Sequence, residues 1–81
     1  MGQLVLVTRN GCHLCEHALS ALRELGHEPE QADVDADDEL FRLYDWRVPV
    51  LLIDGRVVAE GQITKESALA ALGPRPAGGA G

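Results

Sequence analysis

Leu4-Val5-Leu6-Val7-Thr8-Arg9-Asn10-Gly11-Cys12-His13-Leu14-Cys15 is the stretch on which the fold turns. Its four consecutive apolar residues, Leu4 to Val7, read as a short strand buried on both faces, and Thr8 to Gly11 supply the polar residues and glycine of a turn. From Cys12 onward, Leu14, Ala18, Leu22 and Leu25 recur at helical spacing, and Gly26 stands where a left-handed C-terminal cap belongs. A buried strand that passes through a tight turn into a helix sets Cys12 at a helix N-terminus. Cys15 follows one turn later.

Working outward, residues 28–35 alternate polar side chains with Ala32 and Val34, the pattern of a second strand at a sheet edge. Asp37 offers a cap, and Asp38 and Glu39 offer dipole-compensating acids, ahead of Leu40, Leu43 and Tyr44, which predicts a short second helix. Residues 50–53 and 56–60 flank Asp54-Gly55, a dipeptide suited to a two-residue hairpin turn. Thr64 is placed to cap a last helix carrying Ala68, Leu69, Ala71 and Leu72, with Gly73 and Pro74 to stop it. The order βαβαββα describes an α/β fold, a four-stranded mixed sheet flanked by three helices, with one parallel pair joined by a right-handed crossover. Residues 1–73 are expected to form one domain and residues 74–81 a flexible tail.

The composition sets bounds on function. A chain of 81 residues is one compact unit, and 46% hydrophobic residues supply a core without disulfide or metal staples. Two cysteines three positions apart do not make a secreted disulfide scaffold. Thirteen acidic against seven basic residues, a formal net charge of −6, repel a phosphate backbone, so no nucleic-acid partner is expected. Leu4 to Val7 is too short for a signal peptide or a membrane span, so no membrane association and a cytoplasmic location are expected.

Thiol-disulfide exchange needs a thiolate, which unpaired backbone N–H groups and the helix dipole stabilise. Cys12 is therefore the expected nucleophile, and Cys15, one turn away, the thiol that resolves the mixed disulfide. Thiols in such pairs reach pKa values of roughly 3.5 to 7.5, against about 8.5 for a free cysteine. Two other readings compete. Cys12, His13, Cys15 and His17 are zinc-type ligands, which would suit a metal-binding or delivery module, although a structural zinc site draws on two separate segments and only His27 lies apart. A binding adaptor with incidental thiols is the third reading.

Around the pair, His13 is a candidate for tuning the thiolate, while His17 and His27 read as surface residues. Arg9 and Arg47 are expected to flank the cysteines from two loops and attract an anionic thiol or an acidic surface. Trp46 and Tyr44 offer either an apolar rim for a substrate or packing against the sheet, with packing favoured for Tyr44. The acids Asp33, Asp35, Asp37, Asp38 and Glu39 are explained by edge solvation and capping, and no metal role is assigned.

Arg9-Asn10-Gly11-Cys12-His13-Leu14-Cys15, followed further on by Arg47-Val48-Pro49, resembles the glutaredoxin family of the thioredoxin superfamily. Cys12-His13-Leu14-Cys15 together with Tyr44-Asp45-Trp46-Arg47-Val48-Pro49-Val50-Leu51 is similar to short bacterial glutaredoxin-like proteins. The resemblance implies a thioredoxin-like fold and a thiol-disulfide oxidoreductase with no bound cofactor. It also implies a cis bond before Pro49 beside the cysteines, the Val48 backbone offered to the bound thiol, and glutathione as co-substrate. Arg9, His13, Arg47, Val48 and Pro49 are then the substrate-binding set, and the partner is a disulfide-containing protein or a small thiol bound by a monomer. Where glutaredoxins carry a Gly-Gly pair and then an acid, this chain reads Gly61-Gln62-Ile63-Thr64-Lys65, keeping only the first glycine.

Overall fold

A computed structural model describes residues 3–73. The expected tail, residues 74–81, lies outside the described residues. Strand β1 (Leu4–Thr8) leads into helix α1 (His13–Glu24), strand β2 (Glu30–Asp33) and a single 3-10 turn (Val34–Ala36). Helix α2 (Asp38–Tyr44), the hairpin of β3 (Val50–Ile53) and β4 (Arg56–Glu60), and helix α3 (Lys65–Leu72) complete the chain. The sheet order is β2-β1-β3-β4, with β1 parallel to β2 and antiparallel to β3, and β3 antiparallel to β4. This is the thioredoxin-like α/β architecture.

Strand β1 lies in the middle because its side chains have apolar partners on both faces. Leu6 packs with Ala18, Leu22, Leu51, Ile63 and Ala68, the face covered by α1 and α3. Val7 packs with Val34, Tyr44, Val50 and Leu52, the face covered by α2. The two-residue alternation of a strand thus feeds two cores at once.

Local signals end the elements where residue chemistry requires. Helix α1 closes in a Schellman motif: His27 N–H donates to Leu22 C=O (2.9 Å) and Gly26 N–H to Arg23 C=O (3.0 Å), with Gly26 at φ +91°. Asp54 and Gly55 both have positive φ, 51° and 83°, the conformation of the expected hairpin turn. Thr64 caps α3 through a capping box, its Oγ1 accepting from Ser67 N–H (3.1 Å) while Thr64 N–H donates to Ser67 Oγ (2.8 Å).

Two expectations need correction. The second strand is Glu30–Asp33, shorter than residues 28–35. Pro29 has no N–H to add to the ladder, and Asp33 ends the strand by accepting from Asp35 N–H (2.9 Å), which starts the 3-10 turn. The apolar stripe of α1 is also rotated. Its buried members are Cys15, Ala18, Ala21 and Leu22, whereas Leu14 is 43% exposed. Cys15 takes the core position that periodicity alone had given to Leu14.

Candidate active site

The turn after β1 delivers Cys12 to the N-cap of α1. Its backbone is extended (φ −97°, ψ 110°), and its Sγ accepts a hydrogen bond from Cys15 N–H at 3.1 Å. Sulfur therefore fills the position at which a cap oxygen usually satisfies a free first-turn N–H. Gly11, at φ +75°, makes the turn tight enough for Cys12 N–H to reach back to Arg9 C=O (3.3 Å). Both cysteines are free thiols, Cys12 half-buried and Cys15 only 3% exposed. Burial pushes the Cys15 thiol up to about 12, and its hydrogen bond with the Cys12 sulfur pushes the same way, against a smaller opposing influence from the Arg9 backbone and charge. A half-buried sulfur at a helix start, with a protonated thiol behind it, can cycle between dithiol and disulfide.

Val48 and Pro49 reach the same end of the sheet. The antiparallel register ends with Val7 opposite Val50, so Val48 and Pro49 precede β3 at the end of the sheet from which β1 leaves toward the cysteine turn. The Val48–Pro49 peptide is cis, and Pro49 C=O accepts from Gly61 N–H (2.8 Å), which ties this turn to the segment before α3.

The two arginines are turned toward acids of their own chain. Arg9 makes a bidentate pair with Asp35 (2.9 and 2.9 Å) and further bonds to the Asp45 carboxylate and the Asp45 carbonyl. Arg47 makes a bidentate pair with Glu60 (2.8 and 2.7 Å) and lies over the Tyr44 ring, 5.2 Å from its centroid. Each guanidinium that was expected to attract an anionic thiol or an acidic surface is thus paired within the chain. Arg9 instead ties the cysteine loop to the turn that carries Asp45 and, three residues later, Val48. Partners as distant along the chain as Asp35, Asp45 and Glu60 leave no local trace in the sequence.

Arg9 holds the Asp35 carboxyl below its ordinary range, and Arg47 does the same for Glu60. A carboxylate depressed in the folded state stabilises the fold above its unfolded pKa, and that stability is lost as the pH falls through the folded value. Thermal midpoints are thus expected to fall more steeply in wild-type protein than in Asp35→Asn between about pH 5 and pH 3. Parallel slopes would show that the pair contributes nothing.

The remaining side chains sort by exposure. His13 is exposed beside Cys12, and Tyr44 is buried (8% exposed) as expected. Trp46 is 94% exposed, which assigns it to the surface and not to packing on the sheet. A groove of about 280 Å³ between α1 and residues 62–65 begins at Leu14, and a recess of about 160 Å³ borders Cys15, Gly11 and Arg9. Among the described residues, no three His, Cys, Asp or Glu side chains converge as a metal site. No helix among them is long and apolar enough to cross a membrane.

Fold and geometry together define a thioredoxin-like domain with two free thiols at the start of its first helix. The chain belongs to the glutaredoxin-like family: the family model for the Glutaredoxin-like domain (DUF836) matches residues 3–73. Two solved structures are similar to it. The X-ray structure of target protein XcR50 from X. campestris is 32% identical, with a TM-score of 0.78, over 90% of this chain and 99% of that one. The solution NMR structure of protein Ne2328 from Nitrosomonas europaea is 33% identical, with a TM-score of 0.73, over 85% and 88%. A comparison with curated proteins gives no match.

Proposed function

We propose that this protein is a thiol-disulfide oxidoreductase that uses Cys12 as nucleophile and Cys15 as resolving thiol. One observation carries the reading: the Cys12 sulfur caps α1 and receives the Cys15 N–H, while the Cys15 thiol is buried one turn behind it. The Cys12 thiolate attacks one sulfur of a substrate disulfide. The substrate S–S bond breaks, and the departing sulfur takes up a proton. Cys15 then gives up its proton and attacks the Cys12 sulfur, which breaks the mixed disulfide and leaves a Cys12–Cys15 disulfide. Two electrons have passed to the substrate together with two protons, one that Cys12 released to solvent on ionising and one from Cys15, and an external thiol reductant restores the pair.

The order of events follows from the charges. While Cys12 is an anion, its hydrogen bond and its charge help keep the Cys15 proton in place. Once Cys12 is bonded to substrate, both influences vanish, and Cys15 becomes easier to ionise at the moment its attack is needed. Family membership supports the reading, and glutathione is one candidate for the external reductant.

Cys15→Ser tests the order of attack. Mixed with a small disulfide, this variant is expected to accumulate a stable adduct on Cys12, seen as a mass increase by intact-protein mass spectrometry. Wild-type protein should pass through the adduct to the internal disulfide. Failure of Cys15→Ser to form any adduct would overturn the mechanism.

A further inference from the structure

Resting on the dithiol reading above, we infer that the substrate disulfide belongs to a neutral or basic polypeptide with apolar or aromatic residues beside its cystine, in preference to glutathione disulfide. Glutathione disulfide carries four carboxylates, and a site built for it must offer cations or unpaired N–H groups to receive them.

Near Cys12 the cationic groups are already engaged. Arg9 is spent on Asp35 and Asp45, Arg47 on Glu60, and Lys65 on Glu24 at 3.3 Å. At the start of α3 the Thr64 and Ser67 N–H groups are taken up by each other's side chains. Among the described residues the one Lys or Arg outside an ion pair is Arg56, and it pairs with Ile53 at the hairpin end of the sheet, opposite the cysteine loop. Diverting Arg47 to a ligand would leave Glu60 without its bidentate partner. The net charge of −6 adds a general repulsion toward an anionic ligand and favours a neutral or basic one.

Apolar surface is offered where cations are not. Trp46, the chain's single tryptophan, is 94% exposed and stands between Asp45, which Arg9 holds, and Arg47-Val48-Pro49. The same Arg9 accepts the Cys12 N–H at its carbonyl, so the backbone on the Asp45 side of Trp46 is tied to the Cys12 loop. Leu14, between the two thiols, is 43% exposed. An isolated exposed apolar residue is ordinary, but tryptophan is the side chain that most often anchors an interface, and this one follows directly on Asp45, which Arg9 ties to the Cys12 loop. A polypeptide whose cystine reaches Cys12 can cover Trp46 on one side and Leu14 on the other.

The test is a single-turnover assay in which the reduced full-length protein meets three disulfides: hydroxyethyl disulfide, glutathione disulfide, and a lysine-containing peptide disulfide with phenylalanine and leucine flanking the cystine. The peptide is expected to react at least about tenfold faster than glutathione disulfide. In Trp46→Ala the ratio of the peptide rate to the hydroxyethyl disulfide rate should fall about tenfold, and Trp46→Phe should restore most of it. In Cys15→Ser, trapping the peptide on Cys12 should move Trp46 fluorescence to shorter wavelength, whereas trapping hydroxyethyl disulfide should leave it in place. A peptide no faster than glutathione disulfide, or a ratio unmoved in Trp46→Ala, overturns the inference while reduction of hydroxyethyl disulfide upholds the dithiol reading. Reduction of none of the three overturns both.

Discussion

Replacing Cys12 with serine is expected to lower disulfide reduction by at least about a thousandfold while leaving the fold intact. The substitution separates two roles of one atom. Cys12 Sγ is both the proposed nucleophile and the acceptor that caps α1 through Cys15 N–H. Serine is among the strongest N-cap residues, so its oxygen can accept that same N–H and preserve the helix start. Its hydroxyl is not an effective nucleophile toward a disulfide at neutral pH. Cys12→Ala should lose the chemistry and also about 1 kcal/mol of stability, because the first-turn N–H is left without its cap. Rates measured alongside thermal melts distinguish the two variants. Full disulfide reductase activity in folded Cys12→Ser would remove Cys12 from the mechanism.

Leu22→Ala should be the most damaging single truncation of the core. Leu22 is fully buried and belongs to the cluster that joins α1, the sheet and α3 through Ala18, Leu6, Leu51, Ile63 and Ala68. Its fully buried partners on α1 and α3, Ala18 and Ala68, are small and cannot move in to fill the space. Such truncations cost about 2–5 kcal/mol, against a total stability of roughly 5–15 kcal/mol for a typical domain. For a domain of this size that corresponds to a fall in melting temperature of roughly 10 °C or more. A shift below about 3 °C would mean that the surrounding side chains collapse into the cavity.

Features that depend on neighbours in the chain were legible in the sequence. The apolar run of β1, the Gly26 stop, the Asp54-Gly55 turn and the Thr64 cap each act within a few residues, and each is found where its chemistry requires. The position of Cys12 followed from two such signals in succession. Periodicity was less able to fix the rotation of α1, because Leu14 and Cys15 are adjacent apolar residues and only tertiary packing chooses between them. The end of β2 was missed because Asp33 bonds the amide two residues on instead of extending the strand. Least legible were the partners of Arg9 and Arg47. Electrostatic pairing across 26, 36 and 13 positions has no periodic signature, yet it decides whether those charges face a substrate.

Arg9 reaches a 3-10 turn, the end of α2 and the loop before α1, and these segments otherwise share little backbone hydrogen bonding. Parts of a protein cross-linked in this way tend to open and close as one cooperative unit, with exchange of their amide hydrogens governed by a common opening event. The Cys12 loop and the segment that carries Trp46 and Pro49 are therefore expected to open together. A fluctuation that displaced one without the other would have to break a bidentate ion pair or strip Asp45 of its partner. In the proposed reaction these segments would meet a substrate disulfide as one piece, positioned by a residue that need not touch the substrate at all.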